Sequence, residues 1–361
     1  MAIVEHSELA PLDGVMQPLW WTGTPAIPSD RYVIDASEFA PATLFDADGP
    51  LAERMRDVYD AVGLVHVVNT GLDELIDQRT IAKHVIDAEM PYDGGSNPRG
   101  DIAPNVYEIG APLAAWLHYH HEMAYVSRST QVIAFLAQKT LPVPTDGSAS
   151  RGATFVSDSI AVTDALLDTE LGHKLRDLGV CYHRNLTDRD AFVDRVEYGV
   201  YNHWQKSFGT DDAAEAELRA IGQGLQVEWG DDRQMLTRYY CDAFEYDPRL
   251  DRNVLYSSLA DHGMWFDTWP LVQHLPYAER PLHMTFGDDT EISDAERRQW
   301  LDLYGTFGTP INWRPGDVAV ICNYRFAHGR PGITLAPGEE RVLGVVLGDQ
   351  YDRVGARPDA W

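Results

Sequence analysis

Apolar and polar positions along this chain fall into short runs with two different periods. Residues 51–60 (LAERMRDVYD) place their apolar side chains at helical spacing and lead into Val62-Gly-Leu-Val-His-Val-Val-Asn69. That second run is β-rich and largely apolar, which suits a buried strand. Residues 74–88, 160–167, 211–221 and 294–305 also read as helices, the last capped by Ser293 or Asp294. Strands are predicted at 117–125, 130–136, 153–156, 254–258, 282–286, 317–322 and 341–347. The turn-rich stretch Pro91-Tyr-Asp-Gly-Gly-Ser-Asn-Pro-Arg-Gly100 reads as a binding loop, and 92–105 as a mobile lid. The aromatic segment 256–269, with Trp265, Phe266 and Trp269, could line a pocket, and core packing fits it at least as well.

This order of elements has no alternating βαβ rhythm and no glycine-rich phosphate loop, which disfavours a dinucleotide-binding fold. Short strands with helices before and between them point to a β-sandwich or jelly roll decorated by helices. No linker divides the chain, so one domain over 1–361 is expected, with helical insertions around 157–250 and 290–306.

Composition narrows the functions open to such a fold. With 44% hydrophobic residues the chain can bury a core, so general disorder is excluded. Its 56 acidic and 29 basic residues give a net charge of −27, which repels a phosphate backbone or an anionic membrane surface. Nucleic acid and membrane are therefore set aside as partners, a small molecule is expected, and a homo-oligomer is left open. No apolar run reaches the roughly 18–20 residues of a membrane span, and the N-terminus lacks a signal-peptide pattern. Cys181, Cys241 and Cys322 are odd in number and widely spaced, which fits a reduced, cytoplasmic protein.

The densest group of potential metal ligands is His118-Tyr-His120-His121-Glu122. On a strand, His118, His120 and Glu122 would share one face and His121 the other. An imidazole and a carboxylate two residues apart can reach one divalent first-row metal. Downstream, the β-rich run from Gly316 ends in Phe326-Ala-His328-Gly-Arg330, where His328 could complete a two-histidine, one-carboxylate set. Arg341 then opens another apolar strand, where a buried guanidinium needs a carboxylate partner and suits a dicarboxylic cosubstrate. Each feature alone has a plainer reading. His-x-Glu arises by chance in a chain with 13 histidines, His328 could cap a loop, and Arg341 could pair with Glu339 or Glu340.

Their context resembles the TauD/TfdA superfamily of Fe(II)- and 2-oxoglutarate-dependent dioxygenases, in particular its clavaminate synthase-like branch. The resemblance is carried by Tyr119-His-His-Glu-Met-Ala-Tyr125, Gln131-Val-Ile-Ala-Phe135 and Arg151-Gly-Ala-Thr154. It continues in Asn202-His-Trp-Gln-Lys-Ser-Phe208, Trp313-Arg-Pro-Gly-Asp317, Asn323-Tyr-Arg-Phe-Ala-His-Gly-Arg330 and Glu340-Arg-Val-Leu-Gly344, so that it spans about 55–350. It implies a mainly β chain whose double-stranded β-helix core, a distorted cupin-like jelly roll, carries flanking helices. It also implies Fe(II) held by His120, Glu122 and His328, with 2-oxoglutarate and O₂ as cosubstrates. Arg341 would bind the distal carboxylate of 2-oxoglutarate and Thr154 would assist. Arg330 would support the site from behind or touch substrate.

Related halogenases replace the ligand carboxylate with a small residue, whereas this chain keeps Glu122. The resemblance therefore implies hydroxylation of an aliphatic C–H in a small polar metabolite, an amino acid or a natural-product intermediate, with release of succinate and CO₂. Desaturation at the same iron, or a cupin-like metal enzyme that does not use 2-oxoglutarate, are the alternatives.

Overall fold

The computed structural model describes residues 20–91, 101–108, 113–191, 203–258 and 274–361. Strands and helices are numbered in chain order. The large sheet runs β1 (Val33–Asp35), β2 (Leu64–Val68), β15 (Val318–Cys322), β6 (Arg128–Lys139), β17 (Val342–Asp352), β4 (Val106–Glu108) and β3 (Asp101–Ala103). Only the β1–β2 pair is parallel. The strands β2 and β15 are apolar at nearly every position because both their faces are covered. Helices α1 (Pro50–Val62) and α2 (Leu75–Ala82) pack against β2, β6 and β15. Pro50 starts α1, and Gly63 ends it at φ +78°, a backbone conformation that an L side chain resists.

The small sheet runs β14 (Gly308–Ile311), β7 (Thr154–Asp158), β16 (Phe326–Arg330) and β5 (Leu117–His120), all antiparallel. Together the two sheets form the expected double-stranded β-helix. One continuous cluster of buried apolar side chains reaches from Ile27 to Leu347. Helices α3 (Ser159–Leu166) and α7 (Asp294–Thr306) pack on β7, and α7 starts with a capping box between Ser293 and Glu296.

Four differences from the sequence reading have physical causes. The stretch 157–250 does hold helices, α3, α4 (Glu170–Leu178), α5 (Trp204–Phe208) and α6 (Ala213–Gly222). It also supplies β8 (Val180–Leu186), β9 (Gln226–Trp229) and β10 (Met235–Cys241), which with β13 (Leu282–Phe286) make a further sheet, and β11 (Phe244–Asp247), which pairs with β12 (Arg252–Leu255). The polar residues in β8 hide the strand: buried Arg184 donates to Ser207 Oγ (3.1 Å), and Asn185 to the carbonyls of Ala278 and Arg280 (3.0 and 2.6 Å). Second, the helix read over 74–88 is shorter, ending at Ala82, after which the His84, Val85 and Ile86 amides close tight turns on the Ile81 and Ala82 carbonyls. Third, the expected lid falls outside the described residues over 92–100, while 101–103 is strand β3 at the sheet edge. Fourth, the strand read over 117–125 stops at His120. Trp265, Phe266 and Trp269 lie outside the described residues. Among the described residues no helix is long and apolar enough to cross a membrane.

Candidate metal centre

The strands β5 and β16 lie side by side with His120 directly opposite His328. Their rings approach to 4.3 Å between centroids. Glu122 comes from the turn that follows β5, and its Oε2 lies 3.9 Å from His328 Nε2. One ligand-type atom from each of the three residues falls within 4.8 Å of the others, and all three are buried. His120 Nδ1 sits 2.8 Å from the His118 carbonyl, so a neutral ring donates there and keeps its lone pair on Nε2. Two imidazoles and one carboxylate suit a divalent first-row ion such as Fe(II) and leave coordination positions open.

Glu122 is placed by main-chain hydrogen bonds and not by strand alternation. Its N–H donates to Asn323 Oδ1 (2.9 Å), and its carbonyl accepts from Asn323 Nδ2 (3.0 Å), Ser129 Oγ (2.9 Å) and Tyr256 OH (3.1 Å). Met123 follows at φ +57°, which ends the strand geometry. Asn323 enters the family resemblance without a role, and Tyr256, at the head of the aromatic segment 256–269, is buried core. Nothing in residue type alone marks a buried Asn as the clamp of a turn.

The flanking histidines have other work. His118 stacks on Trp20 (5.5 Å, 19° between planes) and meets Trp116 edge-on. His121 accepts at Nδ1 from the Ser257 N–H (3.0 Å) and reaches Ser159 Oγ with Nε2 (2.9 Å). Burial pushes both rings down to about 3, so both are neutral at physiological pH.

Arg341 immediately precedes β17. It shares a narrow cleft with Ser150, Gly152 and Trp313. Its Nε donates to the Gly152 carbonyl (3.2 Å), while Nη2 is buried and has no hydrogen-bond partner among the described residues. Glu339 instead pairs with Arg151 and Glu340 with Lys139, each at 2.6 Å, so the two local carboxylates are already engaged. Burial first, and then the nearby Arg330, lower the Arg341 guanidinium to about 9. A buried cation in this state gains from an incoming carboxylate. Thr154 Oγ1, at the head of β7, accepts from Trp313 Nε1 at 3.0 Å, which ties it to the same cleft. Arg330 Nη1 donates to the carbonyls of Leu113 and Ala115, both at 2.8 Å, so it braces the end of β16 from the side.

A double-stranded β-helix with a buried His-x-Glu and a facing His defines the class of non-haem iron oxygenases. The description "Taurine catabolism dioxygenase TauD, TfdA family" matches residues 24–347. The chain belongs to that family, and with it to the Fe(II)- and 2-oxoglutarate-dependent oxygenases. A clavaminate synthase-like protein of Arabidopsis thaliana is 27% identical over 247 residues, covering 67% of this chain and 69% of the relative. Among solved structures, the PvcB protein of Pseudomonas aeruginosa is 13% identical with a TM-score of 0.47, covering 94% of this chain and 95% of the other. A taurine dioxygenase from Burkholderia xenovorans is 14% identical with a TM-score of 0.45, covering 86% and 83%.

Proposed function

We propose that this chain, as a single oxygenase domain, hydroxylates an aliphatic C–H of a small polar metabolite, either an amino acid or a natural-product intermediate. 2-Oxoglutarate would leave as succinate and CO₂. His120, Glu122 and His328 would hold the iron, Arg341 the distal carboxylate of 2-oxoglutarate, and Thr154 the same cosubstrate from the cleft wall. The observation that carries this reading is the Glu122 carboxylate, buried within 4.8 Å of both imidazoles, where a halogenase would keep room for chloride.

When bound, Fe(II) with 2-oxoglutarate and O₂ supplies the oxidising power that an unactivated C–H requires. The rest of the work falls to the chain. Asn323 and Tyr256 fix the Glu122 turn, the His118 carbonyl fixes the His120 ring, and burial of all three side chains excludes water. The Arg341 fork can take a carboxylate through two parallel hydrogen bonds, which sets the orientation of a dicarboxylate.

The test is a screen of amino acids and related polar metabolites for stimulated succinate release, with product mass read in parallel. A gain of one oxygen supports hydroxylation. A loss of two hydrogens replaces it with desaturation. Turnover that proceeds without 2-oxoglutarate returns the chain to the cupin-like alternative.

A further inference from the structure

A second group of ligand-type side chains lies in the outer sheet, away from the candidate iron site: Cys181, His183 and Asp289. Cys181 and His183 sit two residues apart on β8 and so project from the same face. Tyr240 of β10 and Thr285 of β13 flank Cys181, and Arg238 and His283 flank His183. Asp289 follows β13 in a turn at φ +64°, with its N–H bonded to the Phe286 carbonyl (3.0 Å). Tyr240 OH holds the Asp289 carboxylate over Cys181 at 2.9 and 3.0 Å to its two oxygens.

One sulfur, one ring nitrogen and one carboxylate oxygen thus converge within 4.8 Å, with His183 Nε2 3.9 Å from Asp289 Oδ1. Ligand atoms around a tetrahedral Zn(II) stand roughly 3–4 Å apart, so closure asks for a small movement, available to Asp289 with its side chain 57% exposed. Cys181 is fully buried, whereas His183 and Asp289 reach solvent, and on that side a water ligand could complete the set. Ligation takes the neutral His183 ring, which burial favours, and the Cys181 thiolate, which burial and the Asp289 carboxylate oppose by pushing the thiol up to about 12, so the bound cation has to displace that proton. Arg238, the cation facing His183, is paired with Glu228 at 3.2 Å. His183 Nε2 now bonds Thr285 Oγ1 (3.0 Å), a hydroxyl that itself donates to the Phe286 carbonyl (2.9 Å). Coordination therefore moves the ring proton to Nδ1 and sends the Cys181 thiol proton to solvent.

We propose that Cys181, His183 and Asp289 form a second metal site, for a borderline divalent ion of the Zn(II) type, which pins the 287–290 turn onto β8. The thiolate is what sets it apart, because sulfur favours Zn(II) over the hard ions that carboxylates alone would take.

Co(II), an optical stand-in for Zn(II), tests this on the metal-free full-length protein. A near-ultraviolet sulfur-to-cobalt absorption should appear, reach a plateau whose amplitude corresponds to one thiolate ligand per chain, and be displaced by Zn(II). It should vanish in Cys181→Ser and persist in Cys241→Ser and Cys322→Ser. Asp289→Asn, at an exposed turn that does not endanger folding, should weaken the site roughly tenfold or more. Absence of the sulfur absorption in the wild-type protein, its survival in Cys181→Ser, or wild-type affinity in Asp289→Asn would overturn the proposal. The candidate iron site contains no sulfur, so none of these outcomes bears on it.

Discussion

Arg341 is half-buried with its Nη2 enclosed, and its neighbouring carboxylates, Glu339 and Glu340, are engaged by Arg151 and Lys139. Its guanidinium is therefore available to a ligand. Arg341→Ala should raise the 2-oxoglutarate KM by the equivalent of roughly 2–5 kcal/mol, the usual loss at a buried charge pair, while Fe(II) affinity stays near wild type. Arg341→Lys should recover only part of this, since an ammonium cannot make the bidentate contact. Succinate release at varied 2-oxoglutarate measures both, and an unchanged KM would return Arg341 to a structural role. Asn323 makes the complementary case. Asn323→Ala leaves the Glu122 N–H and carbonyl short of partners, at a cost of about 1–3 kcal/mol, and should weaken Fe(II) binding about 10–100-fold. Urea unfolding and Fe(II) titration read the two effects separately. His120, Glu122, His328 and Arg341 could be picked out in the sequence because their chemistry resides in residue type and spacing. Asn323 could not, because a buried amide declares itself only through what it bonds.

At the scale of elements, the candidate centre depends on how closely β16 lies against β5. A Cβ on Gly329 would stand 2.6 Å from the Leu117 carbonyl oxygen and 2.7 Å from the His118 carbonyl. Both contacts are backbone, so Gly329→Ala should push the two strands apart and upset the His328–His120 register. We expect at least a tenfold loss of Fe(II) affinity in a protein that still folds. Gly222→Ala, where a Cβ meets nothing within 4 Å, should leave affinity unchanged. Equal affinities for the two variants would show that the strand spacing is not what sets the site. The central strands β2, β6, β7, β15 and β17 were readable because their apolar runs are buried on both faces, as in β15. The short β1, β3, β4 and β14, at or beside the sheet edges, offer no such run. The β8–β10 sheet was not readable, because Arg184 and Asn185 break its hydropathy while being satisfied inside the fold. The true end of β5 was equally hidden, since long-range bonds from Asn323 and Ser257 set it.

For the whole molecule, the −27 charge means that a dianionic cosubstrate approaches against the overall field. In the proposed function the guanidinium of Arg341, with Arg330 nearby, would supply the local positive potential that this requires. Acid stability follows from other buried groups. Burial lowers the pKa of His84, and partial burial that of His203, so the fold binds a proton at either ring less readily than the unfolded chain does. Between the ordinary histidine value of about 6.5 and their lowered values, the unfolded state binds more protons, so stability falls as pH drops through that window. The urea midpoint of the metal-free protein should accordingly be lower at pH 5.5 than at pH 7.5, and its slope with pH should flatten in His84→Gln. An equal or higher midpoint at pH 5.5 would contradict this.

The central claim is that His120, Glu122 and His328 hold iron to which 2-oxoglutarate binds. Anaerobic addition of Fe(II) and 2-oxoglutarate, followed by visible absorption, tests it most directly. The wild-type protein should develop the weak charge-transfer band of iron-bound 2-oxoglutarate, and folded His120→Ala and His328→Ala should not. A band of wild-type strength in either variant would contradict the assignment.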